Sequence, residues 1–125
     1  MADRAVLSLR KGVFFYKPDA ALADIEARLA EDNVLVVLRS GTYKGNVTIT
    51  GNGVLLFGEL WTQRAVDVDG FITANGEEVR LRGLTITGDL ASKGNNFGIS
   101  FSVVKGRTTL MGTQARTYAM SSAAP

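Results

Sequence analysis

Short apolar runs separated by Gly, Asn and Asp dominate the chain from residue 34 onward. The runs are three to six residues long, and they follow one another too closely for the strands of an ordinary sandwich. Short strands at this spacing fit the faces of a coil. The runs are 34–38, 47–50, 54–57, 65–68, 71–73, 79–81, 84–87, 99–104 and 108–111. This pattern predicts a β-solenoid.

Two pairs of segments repeat at nearly the same offset. Residues 47–53 align with 71–76 at an offset of about 24, and residues 54–58 align with 79–83 at an offset of 25. The strands end on Gly or Asn, which adopt positive φ at little cost and therefore suit the corners of a coil. The sequence predicts about three coils, which is close to the minimum that can cover a solenoid core.

One amphipathic helix is predicted over about 19–32, before the first coil. Asp19 is suited to the N-cap position, and Leu22, Ile25 and Leu29 recur with helical spacing. We expect this helix to close the N-terminal end of the solenoid.

Length and composition fit a single domain. A chain of 125 residues that is 46% hydrophobic can build one core but not two. We expect that domain to span 1–113. The remaining residues, 114–125, become small and polar, and they are expected to form a tail that is flexible or contributes to an interface.

The sequence contains neither Cys nor His. This excludes disulfides, thiolate nucleophiles, imidazole bases and the usual zinc ligands, so that carboxylates, Lys, Arg, Tyr and hydroxyls remain for chemistry. Basic residues interrupt every apolar stretch of residues 1–17, and no run is long enough to span a membrane. We therefore expect no membrane partner, and the pattern favours a cytoplasmic or virion-associated protein.

Residues 19–88 resemble the N-terminal part of the pectin lyase-like superfamily. The resemblance rests on a helix and hydrophobic strand followed by 40–43 (SGTY), and on the later run 84–88 (LTITG). It implies an all-β fold, a short right-handed parallel β-helix with one N-terminal capping helix. The superfamily includes polysaccharide lyases, glycoside hydrolases, phage tailspikes, adhesins and non-catalytic modules, so the fold alone does not imply an activity.

Two pairs of charged residues are the candidates for catalysis. Asp67 and Asp69 point to the same side of a predicted strand, where they could hydrolyse a glycosidic bond as acid and base or ligate Ca²⁺. Arg80 and Arg82 share an exposed face and could supply the base of a β-eliminating lyase, if the coils place them near the aspartates. The simpler alternatives are a solvated strand face for the aspartates and salt bridges between coils for the arginines.

Trp61, Tyr43 and Lys44 are the candidate ligand-binding residues. We expect all three to be exposed, together with Tyr118, so that the aromatic rings could stack on sugars. Trp61 lies in the longest excursion between strands, 59–64. It could equally fill a gap in the core.

Both ends of the chain are basic. The net charge is +3 for residues 1–18, −5 for 19–89 and +4 for 90–125. Basic ends could bind an anionic partner such as an acidic polysaccharide, or they could simply keep exposed ends soluble. Because no run interleaves basic residues with aromatic side chains, the sequence does not favour nucleic acid as the partner.

These features favour a non-catalytic β-helix module that binds a polysaccharide or supports an assembly, as tailspike or adhesin segments do. The alternative is a fragment of a polysaccharide lyase or glycoside hydrolase acting on an acidic polysaccharide, for which Ca²⁺ would be the cofactor of the lyase. An ice-binding protein is a third hypothesis, from two Thr-x-Thr units at 48–50 and 85–87 whose offset of 37 predicts different faces.

The two ends of the predicted solenoid differ in how they are closed. No helical cap is predicted after Met111. An open end exposes unpaired strand edges. We therefore expect self-association or stacking through the C-terminal end.

Overall fold

The chain folds into a parallel β-solenoid of about five coils, in a computed structural model that describes residues 12–59, 65–118 and 120–122. The all-β fold class is confirmed. The helix is α1 (Leu22–Leu29). The strands are β1 (Gly12–Tyr16), β2 (Val34–Leu38), β3 (Gly41–Lys44), β4 (Val47–Ile49), β5 (Leu55–Gly58), β6 (Val66–Asp69), β7 (Ile72–Ala74), β8 (Arg80–Arg82), β9 (Thr85–Ile86), β10 (Leu90–Ser92), β11 (Gly98–Ser100), β12 (Val103–Val104), β13 (Thr108–Leu110), β14 (Arg116–Tyr118) and β15 (Ser121–Ser122).

The strands stack into three parallel sheets that enclose one apolar core. Sheet A has the order β1-β2-β5-β8-β11-β14, sheet B has the order β3-β6-β9-β12-β15, and sheet C has the order β4-β7-β10-β13. Inward-facing side chains alternate with outward-facing ones along each strand, as in Leu56 and Leu81, which are buried at the centre of sheet A. Each coil therefore contributes one strand to each face.

The coils become shorter along the chain. Leu55 pairs with Arg80, which confirms the predicted offset of 25 for that coil. Arg80 then pairs with Gly98, and Gly98 with Arg116, at offsets of 18. The prediction of about three coils is therefore wrong, because an offset near 25 holds for one long coil and the later coils need only 18 residues each.

The extra residues of the long coil lie at a single corner, between sheets A and B. The step from Leu55 to Asp67 takes 12 residues, whereas the matching step from Arg80 to Thr85 takes five. The spacing from sheet C to sheet A stays constant at eight residues in four coils. The pairs are 47 and 55, 72 and 80, 90 and 98, and 108 and 116. The predicted excursion 59–64 thus enlarges one corner and leaves the strands in register.

Two columns of glycines allow the coils to stack closely at the other corners. A Cβ atom added to Gly76 would lie 1.9 Å from the carbonyl oxygen of Gly51, and one added to Gly94 would lie 1.9 Å from that of Gly76. A second column runs through the preceding corner. Together they produce a Gly-x₅-Gly motif at 45 and 51, 70 and 76, 88 and 94, and 106 and 112. This motif is the sequence signal of the 18-residue coil.

The helix α1 closes the N-terminal end of the core, as predicted. Its side chains Ile25 and Leu29 are buried. A carboxylate oxygen of Glu26 accepts a hydrogen bond from the Thr48 N–H at 2.7 Å, and the Leu29 carbonyl accepts one from the Gly51 N–H at 2.9 Å. The helix thereby supplies acceptors to β4 that a preceding strand of sheet C would otherwise supply.

The helix is shorter than the predicted 19–32. The predicted N-cap, Asp19, lies in a turn in which the Ala20 N–H donates to the Lys17 carbonyl at 3.0 Å. The N-cap residue is Ala21, which has no capping side chain. The prediction of Asp19 as N-cap is therefore wrong, because the chain turns once more before the helix begins.

The last coil includes part of the predicted tail. Residues 114–122, expected to be flexible or to form an interface, instead contain β14 and β15, which pair with β11 and β12. The Gly-x₅-Gly motif at 106 and 112 precedes these strands, so they occupy the usual positions in a coil. None of the helices among the described residues is long and apolar enough to cross a membrane.

Candidate functional site

The outer face of sheet A changes from apolar to basic along the solenoid axis. The first three strands present apolar side chains there, namely Val13, Phe15, Leu35, Val37, Leu55 and Phe57. The last three strands present Arg80, Arg82, Gly98, Ser100, Arg116 and Tyr118. No carboxylate occupies any of these outward positions. The C-terminal half of sheet A is therefore the most cationic strand surface in the described parts of the chain.

Two aromatic rings lie among the arginines of this half. The guanidinium carbon of Arg82 lies 4.9 Å from the ring centroid of Phe101. The Phe101 and Tyr118 rings meet edge to face, with their centroids 5.3 Å apart. Both rings remain accessible, because Phe101 is 47% exposed and Tyr118 is 67% exposed. We call the set Arg80, Arg82, Phe101, Arg116 and Tyr118 the arginine–aromatic face.

A cleft of about 240 Å³ opens in the middle of this face, where Gly98 provides no side chain. The aliphatic part of Arg80 lies over this glycine, since an added Cβ would approach the Arg80 Cδ to 2.7 Å. The Arg80 guanidinium donates hydrogen bonds to the carbonyls of Asn96 and Val79. These bonds fix the orientation of Arg80 at the edge of the cleft.

The three arginines of the face have no carboxylate partner within the described ranges. The ion pairs found there are Arg28 with Glu31 at 2.7 Å and Arg39 with Glu59 at 3.1 Å. An arginine keeps its charge at all physiological pH values. Because neighbouring strands are about 4.8 Å apart, positions two strands apart, such as Arg80 and Arg116, are separated by about 10 Å. The arrangement suits a ligand with several negative charges along its length.

Phe101 occupies a backbone conformation that disfavours a bulky side chain. Its φ is +49°, in the left-handed region, and in the preceding coil the same corner is formed by Gly83 with φ +71°. A bulky non-glycine residue in this region costs about 1 kcal/mol or more. An exposed ring that gives little core packing is thus kept where glycine would be more stable, which indicates a role for the ring at the surface.

The aspartates and arginines predicted from sequence lie on different sheets. Asp67 and Asp69 share the outer face of β6 in sheet B, on the same side of the strand as predicted, whereas Arg80 and Arg82 lie on sheet A. Asp69 accepts a hydrogen bond from the Thr87 hydroxyl at 2.8 Å. In the portion of the chain that is described, no cluster of three or more acidic residues could hold a metal ion. The structure therefore does not form the combined site that a lyase or hydrolase would need.

The two Thr-x-Thr units also lie on different faces, as their offset predicts. Thr48 belongs to β4 in sheet C, whereas Thr85 belongs to β9 in sheet B. They do not form one continuous ladder of hydroxyl groups.

Of the predicted ligand-binding residues, Lys44 is exposed on sheet B and Tyr43 is buried. Tyr43 is 3% exposed because it takes the inward position of β3, between the outward-facing Thr42 and Lys44. Its hydroxyl lies 2.6 Å from the Arg39 carbonyl and 2.9 Å from the Tyr16 carbonyl, and it donates to them. The expectation that Tyr43 is exposed is wrong. Trp61 lies outside the described residues.

The buried Tyr43 is expected to make the stability of the fold fall at high pH. Burial raises the pKa of Tyr43 to about 12 from 10.0. The folded state therefore retains the proton after the unfolded chain has lost it, so stability is full below pH 10 and falls by about 2 kcal/mol as the pH rises to 12. Urea unfolding at a series of pH values should show this loss. The loss should be absent in Tyr43→Phe, and an equal loss in that variant would contradict the assignment.

Sequence analysis missed the arginine–aromatic face because its members come from three coils. Arg80 and Arg82, Phe101, and Arg116 and Tyr118 are brought together by offsets of 18 residues. The statement that no basic run interleaves with aromatic residues holds along the chain but fails across the coils. The Gly-x₅-Gly motif, read as an 18-residue period, is the signal that would have aligned these residues.

A scan against protein-family models and searches of curated proteins and of solved structures find no match for this chain. The parallel solenoid follows from its strand pairings.

Proposed function

We propose that this protein is a non-catalytic module of the pectin lyase-like type that binds an acidic polysaccharide on the arginine–aromatic face. The observation that carries the proposal is the interleaving of three arginines, none paired with a carboxylate in the described ranges, with two exposed aromatic rings. Charge and ring surface are then both available to one ligand.

The chemistry of the face matches uronate-containing chains. Guanidinium groups bind carboxylates through paired, charge-assisted hydrogen bonds, and exposed rings offer an apolar surface to the C–H groups of sugars. The members lie on successive strands, so the binding positions follow one another along the solenoid axis. A linear polyanion laid along the axis could contact several arginines at once.

The position of the carboxylates supports binding rather than cleavage. Glycoside hydrolysis needs two carboxyl groups on either side of the scissile bond. Asp67 and Asp69 lie on sheet B, and the outward positions of sheet A carry no carboxylate. A sugar bound on the arginine–aromatic face would meet cations and rings there.

Titration calorimetry with polygalacturonate tests this proposal. The double variant Arg82→Gln/Arg116→Gln should bind at least about tenfold more weakly, since each lost charge-assisted contact contributes about 1 kcal/mol or more. Lys44→Gln/Arg107→Gln is the matched control, because it removes two exposed cations that lie outside the face. Its affinity should stay within about twofold of the unmodified protein, and binding of the unmodified protein should weaken as salt is added.

The variant Phe101→Gly separates binding from folding in the same titration. Glycine suits the positive φ at this position, so the free energy of unfolding should be unchanged or higher by about 1 kcal/mol. The affinity for polygalacturonate should fall.

Three outcomes would overturn the proposal. One is equal loss of affinity in the Lys44→Gln/Arg107→Gln control. Another is tighter binding of single-stranded DNA than of polygalacturonate. The third is a rise in ultraviolet absorbance on incubation with the polysaccharide, which would indicate a lyase.

A further inference from the structure

Sheet A ends in an open strand edge at its C-terminal side. Within the described residues, β14 pairs with β11 on one side and with no strand on the other. The Arg116 N–H donates to the Phe97 carbonyl at 2.9 Å, and the Tyr118 carbonyl accepts from the Phe101 N–H at 3.0 Å. Because alternate residues of a strand direct their backbone groups to opposite sides, the N–H and C=O of Thr117 point out of the open end.

The N-terminal side of sheet A ends in a second edge, formed by β1. The Tyr16 carbonyl accepts a hydrogen bond from the Arg39 N–H at 2.9 Å and so points toward β2. By the same alternation, the backbone groups of Val13 and Phe15 point away from the sheet. All pairings in sheet A are parallel, so β14 of one copy and β1 of another have the direction needed to extend the same sheet.

The two ends differ in charge. The N-terminal end exposes Asp19, Asp24 and Asp32, next to or within the capping helix. The last coil, residues 105–122, contains Lys105, Arg107 and Arg116 and no acidic residue. Opposite charges favour contact between unlike ends, and two C-terminal ends would bring like charges together.

The core is also covered differently at the two ends. At the N-terminal end Ile25 and Leu29 of the helix close it. At the C-terminal end Thr117 takes the inward position of β14 but is exposed, and the apolar side chains beside it are only partly buried. These side chains are Leu110, Ala115 and Met120. The C-terminal end therefore has apolar surface that a further layer would bury.

We propose that a second copy of this chain binds the open C-terminal end with its own N-terminal end, so that copies stack head to tail. Continuing the register of sheet A places Thr117 opposite Phe14 of the next copy. The contact joins two different surfaces and leaves one of each free, so it produces open filaments rather than closed dimers.

A pair of edge-blocking variants tests both the contact and its direction. Thr117→Pro removes the outward N–H at the tail, and Val13→Pro removes it at the head; proline is tolerated on an edge strand because the lost N–H made no ladder bond. Light scattering after size-exclusion chromatography should show assemblies of the unmodified chain that grow with concentration. Each variant alone should be monomeric. An equimolar mixture should form dimers and nothing larger, because it offers one working head and one working tail.

Matched controls keep the outcome interpretable. Thr117→Val retains the N–H and should assemble like the unmodified chain, and circular dichroism should show that both proline variants remain folded. Assembly should also weaken with added salt. Dimers of Val13→Pro alone would show that two tails meet and would overturn the direction. A monomeric unmodified chain at every concentration would overturn the contact itself. Polygalacturonate binding by Val13→Pro reports separately on the arginine–aromatic face, which that substitution does not touch.

Discussion

Replacing Gly76 with alanine is expected to lower the free energy of unfolding by about 4 kcal/mol or more, which would leave much of the protein unfolded. The new Cβ would lie 1.9 Å from the Gly51 carbonyl oxygen and 2.7 Å from its carbon. Both atoms belong to the backbone of the preceding coil, which strand pairing holds in place. The cost comes from this crowding between coils.

Urea unfolding followed by circular dichroism measures the effect. Asn75→Ala is the matched control, because Asn75 is exposed at the same corner and its replacement adds no atom toward the neighbouring coil. The control should lose less than about 1 kcal/mol. If Gly76→Ala were as mild as this control, the coils would have to separate locally at little cost, and close stacking through glycine would not be what stabilises the corner.

Replacing Phe97 with alanine is expected to cost about 3 to 5 kcal/mol, because the cavity left behind cannot collapse between stacked coils. Phe97 is 1% exposed and is the largest fully buried side chain among the described residues. Phe71→Ala is the matched control, since that ring is 51% exposed. Thermal unfolding should show a large decrease in the melting temperature for the first variant and a small one for the second. Similar decreases in both would contradict this account of the core.

The fold was predictable where the signal is local. The run 34–38 is a strand over the predicted residues, and the spacing of Leu22, Ile25 and Leu29 marks a real helix. The number of coils was not predictable from the repeat of about 25 residues. That repeat was measured across the one coil that contains the corner insertion, which hid the 18-residue period.

The candidate site was harder to predict because it depends on strand register and coil length together. The shared side of Asp67 and Asp69 follows from the two-residue period of a strand alone. The burial of Tyr43 depends on which of two alternating positions faces the core, and a shift of one residue would reverse it. The contact between Phe101 and Tyr118 joins two coils, so it cannot be inferred before the coil length is known.

The corner insertion between β5 and β6 separates two properties that are coupled elsewhere in a solenoid. At the other corners an added residue would shift every later strand and turn its buried side chains outward. At this corner seven residues have been accommodated with sheets B and C still in register. Evolution can therefore vary the length and composition of this loop freely, and the loop offers a place where recognition could diversify without a change in the scaffold.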